Sequence, residues 1–135
     1  MSTDYSPDLI LSFDTVPRAK FRVAVPRTMH ALEKGLQDAP LLAARGGMLF
    51  RSLLWPLPQS IPMWVPAPVN EPLDLVWLGE DGHVNQTVRR VKPGDLKTYS
   101  RKAVACVEVR GGTCRRFGID VGTRWELGAP LFTQV

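Results

Sequence analysis

Acidic residues stand in apolar stretches of the sequence, where a carboxylate could act as a general acid or base. Glu71 and Asp74 flank a Pro-Leu pair, but residues three apart on a strand point to opposite faces, which argues against a catalytic pair. Asp74 is therefore expected to accept backbone N–H bonds where a strand begins. Glu108 lies between Val107 and Val109, which would face the other side of the strand, and we expect Glu108 to pair with an arginine.

The remaining reactive residue types do not form a recognisable catalytic or metal-binding pattern. Neither His30 nor His83 accompanies a nucleophile motif of the kind that a hydrolase requires. Cys106 and Cys114 are too few for a disulfide framework and lack the close spacing of zinc ligands, so both are predicted to be reduced. The sequence therefore predicts a protein that is not an enzyme and that carries no metal or cofactor.

Basic residues are concentrated in the second half of the chain. The whole chain has 17 basic and 13 acidic residues, a net charge of +4, and ten of the basic residues lie between positions 85 and 125 against three acidic ones. Only Tyr99 and Phe117 supply aromatic rings there, which predicts at most weak, non-specific binding of nucleic acid. The residues predicted for this basic surface are Arg89, Arg90, Lys92, Arg101, Lys102, Arg115 and Arg116.

Residues 55–72 combine six prolines with large apolar side chains. Proline lacks a backbone N–H, so neither a helix nor a central strand can run through this segment. Its apolar side chains must be buried either under the domain as an edge segment or against another chain, and the sequence leaves both alternatives open. The candidates for ligand binding or interaction are Trp55, Met63 and Trp64, together with Asp74 and Glu108.

The elements that position these residues are short strands joined by turns. The 135 residues fit one domain, and 12 prolines with 11 glycines disfavour long helices. A helix capped by Thr28 and a helical turn over 113–117 that ends at Gly118 are also predicted. The fold class is therefore α+β and mainly β, a small, partly closed antiparallel β-barrel or sandwich. Strands are predicted over 9–13, 21–25, 73–78, 83–91, 103–109 and 124–127, and a further apolar strand is predicted to follow a glycine turn at Gly46-Gly47 and to reach Phe50.

The order of several weak motifs resembles a known family. These motifs are Gly35-Leu36, Leu42, Gly47-Met48-Leu49-Phe50, Pro72-Leu73-Asp74, Gly82 with Val84, Glu108 before Gly112, and Gly118-Ile119 with Val121-Gly122. In this order and spacing the chain resembles domain of unknown function 192, an uncharacterised family of bacteria and archaea that also occurs in bacteriophages. The resemblance covers residues 21–127 and implies a small β-rich domain, partly closed into a barrel, with a helix after the first strand.

The chain also departs from the family pattern. The family's lysine and threonine that follow a tryptophan are missing after Trp64, so the family's ligand site is in doubt here. Residues 1–18 and 128–135 are expected to extend beyond the family-like domain of residues 19–127 and to contact other chains. A terminal strand can pair with an exposed sheet edge of a neighbour.

These observations predict a non-enzymatic structural or protein-interaction component of a larger assembly, such as a bacteriophage particle. Its partners would be other protein chains in a homo- or hetero-oligomer, with no membrane involved. The start of the sequence lacks the pattern of a signal peptide, which predicts a cytoplasmic or virion location. The alternative is a small ligand-binding or enzymatic domain with a pocket near Trp64, Asp74 and Glu108.

Overall fold

The computed structural model describes residues 4–28, 31, 46–65, 71–95 and 97–129. Within these ranges the chain forms nine strands and one short helix, connected by turns. The elements are β1 Tyr5–Phe13, β2 Ala19–Pro26, β3 Gly46–Arg51, β4 Gln59–Met63, β5 Leu73–Leu78, β6 Val84–Val91, β7 Tyr99–Ala103, β8 Ala105–Arg110, α1 Thr113–Phe117 and β9 Trp125–Gly128.

Seven strands form one curled sheet in the order β6-β5-β8-β3-β2-β1-β9. Neighbouring strands are antiparallel except β2 and β3, which run parallel. The two ends of the sheet meet where His83 pairs with Arg124, and the N–H of Val84 donates to the carbonyl of Thr123 at 2.8 Å. The protein therefore has the mainly β, partly closed barrel fold that the sequence predicts.

The first core lies on one face of this sheet. Phe13 and Phe21 are fully buried there, with their rings edge to face and 5.8 Å apart. Val107 and Val109 of β8 also face this core, as the alternation along the strand predicts. Close packing of β8 against β3 requires a glycine at position 47, because a Cβ there would lie 2.6 Å from the carbonyl oxygen of Glu108.

A second core lies on the opposite face of the sheet. The separate pair of strands β4 and β7 contributes Ile61, Met63 and Ala103 to it. The indole N–H of Trp77 in β5 donates to the carbonyl oxygen of Ile61 at 3.0 Å, which ties β4 to the main sheet. Because both faces are covered, every residue of β5 is buried. This explains why β5 is a continuous apolar run apart from Asp74.

The N-terminal strand differs from the sequence-based expectation. We expected residues 1–18 to lie outside the domain and to contact other chains. Instead, β1 lies between β2 and β9 in the main sheet, and Leu11 and Phe13 belong to the first core. The resemblance motifs begin only after this strand, which is why its place in the sheet was missed. Most of the predicted C-terminal extension lies outside the described residues.

Part of the proline-rich segment is buried within the domain, which is the first of the two alternatives that the sequence leaves open, and part is exposed. Residues 59–63 form β4, where Ile61 and Met63 are buried in the second core. Met63 was predicted as a ligand or interaction residue, but its side chain is buried within the domain. Residues 53–57 and Trp64 are exposed. The sequence predicts neither β4 nor β7, because proline and charged residues hide their alternation. Residues 66–70 lie outside the described ranges.

The predicted helical turn is confirmed as α1, and Gly118 ends it with a left-handed φ of 72°. The expectation that Thr113 caps this turn is wrong, because Gly112 is the residue before the helix and Thr113 lies within it. The predicted cap at Thr28 is also confirmed, because its hydroxyl accepts the N–H of Ala31 at 3.1 Å. Apart from Ala31, the helix expected to follow Thr28 lies outside the described residues.

Candidate functional site

Asp74 is a buried carboxylate that joins three segments of backbone. Its Oδ1 accepts the N–H of Arg90 at 2.9 Å and that of Gly112 at 3.3 Å, and its Oδ2 accepts the N–H of Cys114 at 2.9 Å. The side chain thereby holds β6 and the start of α1 against β5. The prediction that Asp74 accepts backbone N–H bonds is confirmed, and these bonds occupy both oxygens.

Glu108 lies on the other face of the sheet from Asp74. Its cross-strand partners are Met48 and Leu75, which belong to the second core. Its side chain is almost entirely buried, and Oε1 has no hydrogen-bond partner among the described residues. Burial raises the pKa of Glu108 from its ordinary 4.5 to about 8. The expected pairing with an arginine is wrong for the described residues, because none of their arginines forms an ion pair with this carboxyl group.

The structure does not bring together the three residues of the alternative pocket. Asp74 and Glu108 belong to neighbouring strands but point to opposite faces of the sheet. Trp64 follows β4 with half of its side chain exposed, while the flanking residues Met63 and Val65 point inward. An acid–base pair or a shared ligand pocket formed by these three side chains is therefore not present.

An exposed apolar loop (residues 53–57) joins β3 to β4. Its four large apolar side chains are exposed by 81% at Leu53, 55% at Leu54, 36% at Trp55 and 60% at Leu57. The guanidinium of Arg51 lies 5.6 Å from the centre of the Trp55 ring. Large apolar side chains are usually buried, and here four of them are exposed within five residues, which makes this loop a candidate contact surface.

The apolar loop is held by its own hydrogen bonds. The N–H of Leu53 donates to Oε1 of Gln59 at 3.0 Å, and the hydroxyl of Ser52 donates to the carbonyl of Leu57 at 2.6 Å. The N–H groups of Trp55 and Leu57 donate to carbonyls three residues earlier in the chain. The loop therefore presents its side chains from a defined backbone whose donors are largely satisfied.

The predicted basic surface divides into two places. Arg89, Arg90, Lys92, Arg115 and Arg116 gather around α1 and the end of β6, whereas Arg101 and Lys102 lie on β7. Arg110, which the prediction omitted, ends β8 beside the first group and pairs with Glu71 at 2.8 Å. Leu73 of β5 pairs with both Arg110 and Val91, so the ends of β8 and β6 lie on either side of the same residue of β5.

Both cysteines are free, as predicted, and the structure shows that both are buried. Burial raises the pKa of the Cys106 and Cys114 thiols, so neither has the lowered pKa of a reactive cysteine. Across the described ranges, no three His, Cys, Asp or Glu side chains group together in a way that could hold a metal ion. In the same ranges, no helix has the length and apolar character needed to cross a membrane.

Two features were not predicted from the sequence: the exposed leucines of the apolar loop and the irregular pairing at the end of β6. The first had a local signal, since Leu53-Leu54-Trp55-Pro56-Leu57-Pro58 places apolar residues where proline forces turns. The second had none, because the irregularity depends on how β6 pairs with β5.

Comparison with known proteins agrees with this fold. A family model for domain of unknown function 192, described as "Uncharacterized ACR", matches residues 11–127. The chain belongs to this family of small β-rich domains. The match begins within β1, which supports the place of this strand inside the domain.

Two solved structures are similar to the chain over most of its length. One, from Sinorhizobium meliloti and titled a "putative transcription regulator", has a TM-score of 0.78 and 21% identity and covers 93% of this chain and 97% of its own. The other, a protein of unknown function from Novosphingobium aromaticivorans, has a TM-score of 0.77 and 25% identity and covers 88% of this chain and 84% of its own. The search of curated proteins found no match.

Proposed function

We propose that the protein is a non-enzymatic interaction domain that binds another protein chain through the apolar loop. The observation that carries this proposal is the exposure of Leu53, Leu54, Trp55 and Leu57 on one hydrogen-bonded loop. Burial of a large apolar side chain contributes about 1.5–3 kcal/mol, so these side chains together can supply a substantial part of a binding free energy.

The conformation of the loop supports a role in binding. Hydrogen bonds from Ser52 to Leu57 and from Leu53 to Gln59 define the backbone before any partner arrives. Pro56 and Pro58 restrict it further. A segment that is already ordered loses little conformational entropy on docking. Tryptophan is also among the residues that most often dominate the energetics of interfaces, which favours Trp55 as an anchor.

The chemistry of the buried carboxylates favours this function over an enzymatic one. Asp74 uses both oxygens on backbone donors, and Glu108 lies in an apolar environment on the opposite face. Assembly within a larger particle, such as that of a bacteriophage, is one setting in which a small domain would present such a loop to its neighbours.

Site-specific photo-crosslinking tests the proposal. A photoreactive residue at position 53 should yield a defined crosslinked product, either with a second copy of this chain or with one partner protein. The matched control is position 121, because Val121 is also apolar and exposed by 63% but lies far along the chain, between α1 and β9. Equal product patterns from both positions would contradict the proposal.

The partner identified in this way is then purified and its binding to variants is measured by calorimetry. Leu53→Ser with Leu57→Ser should weaken binding and leave the melting temperature within a few degrees, since both side chains are exposed. Val121→Ser should bind like the unmodified chain. Full binding by the Leu53 and Leu57 double variant would show that the loop is not the contact surface.

A further inference from the structure

Six cationic residues lie at one corner of the domain, formed by the end of β6, the end of β8 and α1. All six are exposed to solvent, and none takes part in the proposed interaction through the apolar loop. This basic corner consists of Arg89, Arg90, Lys92, Arg110, Arg115 and Arg116.

Buried Asp74 organises the basic corner. Its carboxylate binds the backbone N–H groups of Arg90, Gly112 and Cys114. Arg90 belongs to β6, while Gly112 immediately precedes α1, which carries Arg115 and Arg116. One carboxylate therefore sets the distance between cationic residues that lie more than 20 positions apart in the sequence.

A β-bulge brings two consecutive arginines to the same side. Between the pairs Leu73 with Val91 and Leu75 with Val88, β6 has one more residue than β5. As a result, Arg89 donates to the carbonyl of Ile119 at 3.2 Å, just after α1. The guanidinium of Arg90 passes over the turn before α1, 3.3 Å from where a Cβ at Gly112 would lie.

Arg90 also has a backbone conformation that favours glycine. Its φ is 52°, and it is the only residue other than glycine with a positive φ among the described residues. A non-glycine residue in this region costs stability, and such residues are frequent at functional sites. The bulge accounts for the backbone conformation but not for an arginine side chain, which glycine would replace without strain.

Much of the positive charge on the corner has no partner. Arg110 pairs with Glu71 at 2.8 Å, and Asp120 lies 4.0 Å from Arg89. Arg90, Lys92 and Arg115 form no ion pair within the described ranges. The corner therefore has an excess of positive charge even when buried Asp74 is counted.

We propose that the basic corner binds the phosphate backbone of nucleic acid without reading its sequence. Five of the six cations are arginines, whose planar fork matches two phosphate oxygens. Helix α1 has only five residues and cannot place a recognition surface along the major groove, so contacts are confined to phosphates.

The aromatic and apolar content of the corner favours nucleic acid over a protein partner. The Phe117 ring packs edge to face on Phe21, with centroids 5.6 Å apart, instead of standing free as an interface anchor. Gly111 and Gly112 occupy the turn between the cations. Protein interfaces are usually anchored by exposed aromatic and apolar side chains, and the nearest exposed apolar side chain to these cations in the sequence is the small Val121, next to Asp120.

Fluorescence anisotropy with a labelled 20-base-pair DNA duplex tests this proposal. Binding should weaken steeply from 50 to 200 mM NaCl, with a slope of about −0.9 for each phosphate contacted in a plot of log K against log salt. Arg115→Ala with Arg116→Ala should reduce the magnitude of that slope by about two. The matched control, Lys20→Ala with Arg27→Ala, removes the same charge from exposed positions at β2 and should change the slope little.

A glycine variant separates binding from folding. Arg90→Gly should melt at or above the temperature of the unmodified chain, because glycine accommodates a φ of 52°, and it should bind DNA more weakly. The proposal is overturned if the corner variants bind like the unmodified chain or if the control weakens binding equally. Polyglutamate that displaces the labelled duplex as effectively as unlabelled DNA of equal charge concentration would also overturn the proposal. That result would indicate that the basic corner binds an acidic protein.

Discussion

The Glu108 carboxyl group is buried in apolar surroundings where its ionised form is poorly solvated. Oε1 has no hydrogen-bond partner among the described residues, and burial raises the pKa of Glu108 to about 8. In the unfolded chain the pKa returns close to 4.5. The folded state therefore binds the proton more tightly, and the free energy of unfolding falls as pH rises from about 4.5 to 8.

Glu108→Gln removes this pH dependence. The amide resembles the protonated acid in size but does not ionise, so the variant should be more stable than the unmodified chain at pH 8. Between pH 5 and pH 8, the difference in free energy of unfolding between the two proteins should change by on the order of 3 kcal/mol. Urea denaturation of both proteins at pH 5, 6.5 and 8 measures this difference in free energy of unfolding. A difference that stays constant with pH would show that the carboxylate is stabilised by a partner.

At the scale of elements, the junction of β5, β6 and α1 depends on a side chain rather than on regular strand pairing. The bulge in β6 interrupts the regular hydrogen-bonded pairing of β6 with β5. Gly112, the residue before α1, has no side chain, so Asp74 caps the helix by accepting the N–H of Cys114. A helix of five residues has little stability of its own. Its position therefore depends on this carboxylate.

Asp74→Asn should destabilise the protein by about 1–3 kcal/mol, because buried N–H groups would lose a charged acceptor. Thermal unfolding followed by circular dichroism measures this change. Asp120→Asn is the control, because this carboxylate is exposed and accepts only the N–H of Val121 among the described hydrogen bonds, so a change under about 0.5 kcal/mol is expected. Equal effects of the two substitutions would contradict the role given to Asp74.

At the scale of the whole molecule, the curled sheet depends on strands from both ends of the described chain. β1 pairs with β2 on one side and with β9 on the other, and the sheet closes where Arg124 meets His83. Loss of β1 would expose the first core and separate β9 from the rest of the sheet.

A chain without residues 1–18 is therefore expected to lose its cooperative thermal transition. The truncation removes Leu11 and Phe13 from the first core, and a large-to-small change at one such site alone costs about 2–5 kcal/mol. A chain without residues 1–3, which precede β1, is the control and should melt like the full chain. Cooperative unfolding of the longer truncation near the original temperature would mean that β1 is dispensable.

The sequence by itself determined the local features of the protein. Short β-prone stretches bounded by glycine and proline turns located seven of the nine described strands, and Gly118 marked the end of α1. These features depend on residues a few positions apart, so the pattern that predicts them is contiguous. The backbone role of Asp74 was also predictable from its place at the start of a strand, although its partners were not.

Only the tertiary structure decided which residues meet and which lose contact with water. Asp74 binds Gly112, 38 positions away, and Glu108 is buried without the arginine expected beside it. Ile61 and Met63 are buried because β4 pairs with β7 over the second core, whereas Trp55 and Leu57 lie in the exposed loop before β4. Burial and long-range pairing depend on how distant segments pack, and this packing leaves no contiguous pattern in the sequence.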